Sequence, residues 1–259
     1  MSGAEPGGDG FTHDAFLGGR VRLWQPARGY RAGVDAVLLA AAVDARPGQR
    51  VLELGCGVGA AALCLAARVP GLSLTGIERD ETAAVLARRN AEEAGAALDV
   101  VTSDIAALPR EVRQIRFEHV MLNPPYFRRD ASRASDHAAR EAAMGEAPDR
   151  PLADWLATGA RRLAPGGWLT AIHRAERLAD LLAGLAPLGS VQIQPLAPRE
   201  GRPARLVLVR ARRDGRAPLA LLPPLVMHSG PAHTRDGEDY TPALRAILRE
   251  GAALRWGAH

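Results

Sequence analysis

The chain has 259 residues, a hydrophobic fraction of 47% and a formal charge of +4. That apolar content excludes disorder over most of the length and leaves room for one large domain or two small ones. All 33 basic residues are arginine, which points to a polyanionic partner because the planar guanidinium binds phosphate bidentately; codon composition is the competing explanation.

In chain order, residues 1–10 are Gly-rich and polar and read as a disordered tail. No basic segment followed by an apolar one begins the chain, so no signal peptide is expected. Arg20 to Gln25 alternates as a strand does, and Val34 to Val43 reads as a short apolar helix stopped at Arg46-Pro47-Gly48. Its apolar run is too short to span a membrane. Two cysteines, Cys56 and Cys64, make no disulfide framework, so a cytoplasmic protein is expected.

A regular alternation follows: strand Val51–Leu54, helix Ala60–Arg68, strand Leu72–Glu78, helix Glu81–Ala94, then strands Leu98–Ser103 and Arg116–Leu122. Leu152–Leu163 reads as a helix, Pro165-Gly166-Gly167 as a turn, Trp168–His173 as a strand and Glu176–Leu185 as a helix. Val191–Gln194 and Leu206–Val209 are the last clear strands, and stretches 127–150 and 211–240 read as loops. This pattern predicts an α/β fold whose mostly parallel sheet is covered by helices on both faces.

The first of these strands runs into Gly55-Cys56-Gly57-Val58-Gly59 and then a helix. Glycines there permit a sharp turn and close approach of a ligand, and the helix start offers unpaired N–H groups. The same letters satisfy a dinucleotide fingerprint. Three acids sharpen the reading. Glu53, two residues before Gly55, would repel a pyrophosphate but suit a cationic amino group. Glu78, with Arg79 beside it, lies 21 residues past Gly57 and can accept ribose hydroxyls. Asp104, with Ile105, follows the third strand and can accept an adenine amino group. Each acid ends a successive strand, and together they outline S-adenosylmethionine. Glu53-Leu54-Gly55-Cys56-Gly57-Val58-Gly59 resembles the first motif of class I methyltransferases. The resemblance implies a Rossmann-like sheet of seven strands whose last strand is antiparallel, and the short connection Ala197–Ala204 agrees with that ending.

The fourth strand ends in Asn123-Pro124-Pro125-Tyr126. An adenine amine or a side-chain amide is a poor nucleophile because its lone pair is delocalised. The Asn123 oxygen and the Pro124 carbonyl can accept its two N–H bonds, Pro125 fixes the direction of that carbonyl, and Tyr126 can stack on the planar acceptor. None of the seven histidines sits at metal-ligand spacing. The motif resembles that of methyltransferases acting on planar nitrogens. It leaves the acceptor open among bases of tRNA, rRNA or DNA and protein glutamine.

Leu23 to Arg31 and Val34 to Ala40 resemble the N-terminal segment of the bacterial valine-tRNA adenine-N6 methyltransferase family, as do Leu196 to Gly201 and Tyr240-Thr241. The resemblance implies transfer to the adenine 3′ of the anticodon, with Tyr30, Arg31 and Asp35 touching the cofactor and tRNA as partner. It implies a single domain over 11–259, with 11–48 covering the cofactor, 49–211 forming the core and 212–259 extending it. Too few residues precede the core for the extra domain of the glutamine enzymes. Arg128 and Arg129 after the motif, with Arg199, Arg202, Arg205, Arg212 and Arg213 later, are expected beside the pocket as RNA contacts. Dehydrogenase and non-catalytic RNA-binding readings stand against Glu53 and the intact motif. The sequence leaves the oligomeric state open.

Overall fold

The computed structural model describes residues 10–29, 31–125, 151–230, 232 and 239–257. It opens with an antiparallel hairpin, β1 (Phe11–Phe16) and β2 (Val21–Pro26), that stands apart from the main sheet. Then come α1 (Val34–Ala42), β3 (Arg50–Leu54), α2 (Ala60–Arg68), β4 (Ser73–Glu78), α3 (Glu81–Glu93) and β5 (Leu98–Thr102). A short α4 (Arg110–Gln114) leads into β6 (Phe117–Leu122). The chain resumes with α5 (Leu152–Arg162), β7 (Leu163–Arg174), α6 (Leu178–Gly184), β8 (Gly189–Ala197) and β9 (Leu206–Arg212). Two-residue strands β10 (Ala220–Leu221) and β11 (Leu225–Val226) precede α7 (Pro242–Glu250).

The sheet order is β8-β9-β7-β6-β3-β4-β5, with β10 and β11 both added to β8. Strands β3 to β7 pair in parallel, and β9 alone is antiparallel to both neighbours. This is the expected seven-stranded class I architecture. Parity along the strands explains why both faces need helices. Val51, Met121, Ile172 and Leu208 pack with α1, α2 and α7, while Leu52, Leu54, Val120, Leu122 and Val209 pack with α5 and α6. Helix ends are set locally. Asp80 accepts the Ala83 N–H to start α3, and Thr241 accepts that of Leu244 to start α7, which Gly251 ends in a left-handed turn.

Some boundaries differ from the sequence reading. Strand β1 was not foreseen, although Phe11 to Phe16 alternates in exposure. Pro165-Gly166-Gly167 lies within β7, where the pairing jumps from Phe117–Leu163 to His119–Trp168 and the intervening residues bulge out. Stretch 211–240, expected to be a loop, carries β10 and β11, because its Leu-rich runs add to the edge of β8 on either side of Pro223-Pro224. Residues 1–9 of the expected tail and all of 127–150 lie outside the described residues.

Candidate active site

The carboxyl ends of β3, β4, β5 and β6 bring Glu53, Gly55, Gly57, Glu78, Asp104 and Asn123 to one edge. The turn after β3 is built on left-handed glycines, Gly55 at φ +69° and Gly57 at φ +54°. Their surroundings differ. A Cβ at Gly55 would lie 2.8 Å from the Trp155 ring, so the residue is also fixed by that indole. A Cβ at Gly57 would meet nothing within 4 Å, which leaves open space for a ligand. The Trp155 indole N–H is buried, with no hydrogen-bond partner among the described residues.

Glu78 is held by the backbone. Its Oε2 accepts the Gly57 N–H at 2.8 Å, and its Oε1 accepts those of Arg79 at 2.8 Å and Asp80 at 2.9 Å. A carboxylate has about four lone-pair directions, so room remains for a ligand hydroxyl. The Arg79 side chain is exposed beside it. Asp104 forms a turn by accepting the Ala106 N–H at 2.8 Å, and Ile105 is buried behind it.

Glu53 sits deeper, 3% exposed, with Oε2 accepting the Ala62 N–H at 3.0 Å in the first turn of α2. Burial pushes its pKa to about 8, the Ala62 N–H pulls it down and Glu78 raises it again. Cys56 faces inward, where its Sγ would lie 2.7 Å from a Cβ at Gly76. Its N–H and that of Gly55 both donate to the Ile77 carbonyl. Burial raises the Cys56 thiol well above its usual range, so Cys56 acts here as packing under the turn.

Asn123 follows β6 directly, partly exposed, with Pro124 buried and Pro125 exposed behind it. Sequence reasoning missed His173, near the end of β7. Leu122 pairs with Ala171, so His173 continues that register beside Pro124. Its Nδ1 accepts the Arg174 N–H at 2.8 Å, which places the ring proton on Nε2. Burial, with the charge of Arg177, lowers its pKa to about 4, and the Pro125 backbone opposes the shift. The ring is therefore held in its neutral form close to the Pro125 backbone. Tyr126, Arg128 and Arg129 lie outside the described residues, as does Tyr30.

The N-terminal segment is clasped to its own hairpin. Arg31 donates to Asp14 at 2.6 Å, and Gln25 bridges Asp14 Oδ2 and the Ala32 N–H. Asp35 occupies the first turn of α1. The buried Asn90 on α3, also missed, bonds both backbone groups of Trp24 and the Val58 carbonyl, and so anchors β2 to the glycine turn. A single amide in an otherwise apolar stripe was the available signal.

Chain direction divides the arginines. Because β9 is antiparallel, Leu206 pairs with Arg174 at the carboxyl edge and Arg212 with Trp168 at the amino edge. Arg202 and Arg205 stay exposed on the site's side. Arg212 and Arg213, expected beside the pocket, lie at the opposite edge, about 20 Å away at 3.4 Å per residue. Arg199, expected to face RNA, is only 11% exposed and is spent on Asp239 and the Ser229 and Gly230 carbonyls, so its role is structural.

A family model described as a methyltransferase small domain matches residues 32–150. Over 181 residues the chain is 33% identical to a tRNA1(Val) (adenine(37)-N6)-methyltransferase of Porphyromonas gingivalis, covering 65% of this chain and 68% of the relative. The chain belongs to that methyltransferase family. A relative of the same name from Dickeya chrysanthemi is 29% identical over 93% of both chains. A crystal structure described as a predicted O-methyltransferase from Agrobacterium tumefaciens superposes with a TM-score of 0.67 at 28% identity, over 85% of this chain and 98% of that one. Among the described residues no helix is long and apolar enough to cross a membrane.

Proposed function

We propose that this chain transfers a methyl group from S-adenosylmethionine to the exocyclic N6 of an adenine in tRNA, the base 3′ of the anticodon of a valine tRNA. The observation that carries the reading is the meeting of the Gly57–Glu78 clamp with Asn123 at the ends of adjacent strands, in a family named for this reaction.

The residues present fit the cofactor. Open space lies over Gly57, Glu78 keeps acceptor capacity toward ribose hydroxyls, Asp104 stands at the next strand end, and Glu53 is a buried carboxyl suited to an amino group. S-adenosylmethionine supplies an electrophilic methyl when bound. Asn123 Oδ1 and the Pro124 carbonyl accept the two amine N–H bonds of the adenine and turn its lone pair out of conjugation. Pro125 holds that carbonyl in place. Fixing the amine for in-line attack is the main contribution expected of these residues. The amine sheds its proton after transfer, when it is strongly acidic, so no strong base is required. Arg202 and Arg205 are placed to meet phosphates on the way to the site, and Tyr126 would stack on the base.

The Agrobacterium structure carries an oxygen-acceptor description, so the test must separate the two chemistries. Unmodified tRNA incubated with the enzyme and labelled cofactor is digested to nucleosides. Label in N6-methyladenosine, mapped to the anticodon-adjacent adenine of valine tRNA, is expected. Label in a 2′-O-methyl nucleoside, or none in RNA, would overturn the assignment.

A further inference from the structure

Six arginines meet at the amino edge of the sheet, opposite Asn123. Arg113 is in the last turn of α4, Arg116 precedes β6, Arg161 and Arg162 end α5, and Arg212 and Arg213 close β9. Four of their side chains hold backbone carbonyls at this edge. Arg116 donates to the Arg161 carbonyl at 2.9 Å, Arg162 to that of Arg113, Arg213 to that of Leu163 at 2.6 Å and Arg212 to that of Gly166 at 2.9 Å. Among the described residues acidic relief is slight. Asp214 stands 4.0 Å from Arg213 and is 70% exposed, Glu111 is exposed on α4, and the nearby Glu118 is committed to Arg50. Burial lowers the pKa of Arg162, and so does the charge of Arg116, Arg161 and Arg113. Like charges held this close repel, and the helix C-termini beneath them offset only part of that cost.

A guanidinium has five N–H donors, and each backbone bond uses one. The remaining donors are left with their planes already oriented, so little side-chain freedom is lost when an anion arrives. Cations spread over three chain connections match a run of phosphates better than one small anion.

We propose that this edge is a second RNA-contact surface that grips a phosphodiester backbone about 20 Å from the catalytic edge. That the same tRNA bridges both edges rests on the function proposed above; that the edge binds RNA does not.

The test uses the full-length enzyme and a blunt RNA duplex of about 16 base pairs, which offers backbone but no flipped adenine. Arg113→Gln, Arg116→Gln and Arg161→Gln are combined, and the same three positions are changed to Lys in a charge-preserving control with its melting temperature measured. The Gln variant should bind the duplex at least tenfold more weakly near 0.1 M salt, and the slope of log affinity against log salt should fall by about 2–3. The Lys control should stay within about threefold of wild type. Unchanged Gln-variant affinity and slope, equal losses in both variants, or no duplex binding by wild type would each overturn the proposal. Failure of wild type to methylate tRNA would instead remove the proposed function and leave this comparison readable.

Discussion

The two ends of the sheet carry opposite chemistry. At the carboxyl end, Glu53 and Glu78 are held by backbone N–H groups; at the amino end, Arg116, Arg162, Arg212 and Arg213 are held by backbone carbonyls. Strand-to-helix order explains both. Helices α2 and α3 begin at the carboxyl end and present N–H groups, whereas α4 and α5 finish at the amino end and present carbonyls to Arg162 and Arg116, and the start of β7 supplies those for Arg212 and Arg213. One connectivity thus favours buried acids at one edge and clustered arginines at the other, with exposed Arg202 and Arg205 as the exceptions on the catalytic side.

Removing Asn123 should test the comparison hardest. Asn123→Ala should lower kcat by about 100- to 1,000-fold with cofactor affinity retained, the size seen when one preorganised hydrogen-bonding group is lost from a transition state. Single-turnover methylation beside calorimetry reads both quantities, and near-normal turnover would break the assignment of chemistry to this edge.

Glu53 comes next. Its folded pKa of about 8 stands above its unfolded value of 4.5, so its penalty is absent at pH 4 and grows as pH rises between the two values. At pH 7 it amounts to about 3 kcal/mol. Glu53→Gln should therefore gain stability toward pH 8 and flatten the pH profile of urea unfolding; a profile parallel to wild type would show that the carboxyl is not held neutral.

A smaller effect is expected at Glu78. Glu78→Ala removes acceptors from three backbone N–H groups and from the ribose, and cofactor should bind about tenfold or more weakly by calorimetry. An unchanged dissociation constant would remove the ribose role. Smallest is the pair Arg202→Gln and Arg205→Gln, each expected to weaken tRNA binding severalfold and to lower the salt slope by about 1, where Arg199→Gln should instead lower the melting temperature. If Arg199 behaved like the other two, its assignment as a structural pin would fail.

Much of the catalytic edge was legible because its signals are local. A strand, a glycine turn and an acid at the next strand end recur at fixed spacing, so Glu53, Gly55, Gly57 and Glu78 came together as expected. The arginines after Pro198 were harder. Neighbours in sequence separate in space when a strand reverses direction, and β9 carries Arg205 and Arg212 to opposite edges. Arg199 looked like its exposed neighbours because burial depends on Asp239, 40 residues away. His173 and Asn90 offered only a polar residue in an apolar stretch, a pattern that does not say what the group holds.

The bond between the Gly57 N–H and Glu78 joins the turn and the acid through the chain's own atoms. A pocket floor assembled in advance gives binding little left to order, so cofactor capture should resemble a key entering a cut lock: a modest heat-capacity change, set by the apolar area covered, and an association rate insensitive to viscosity-slowed loop folding.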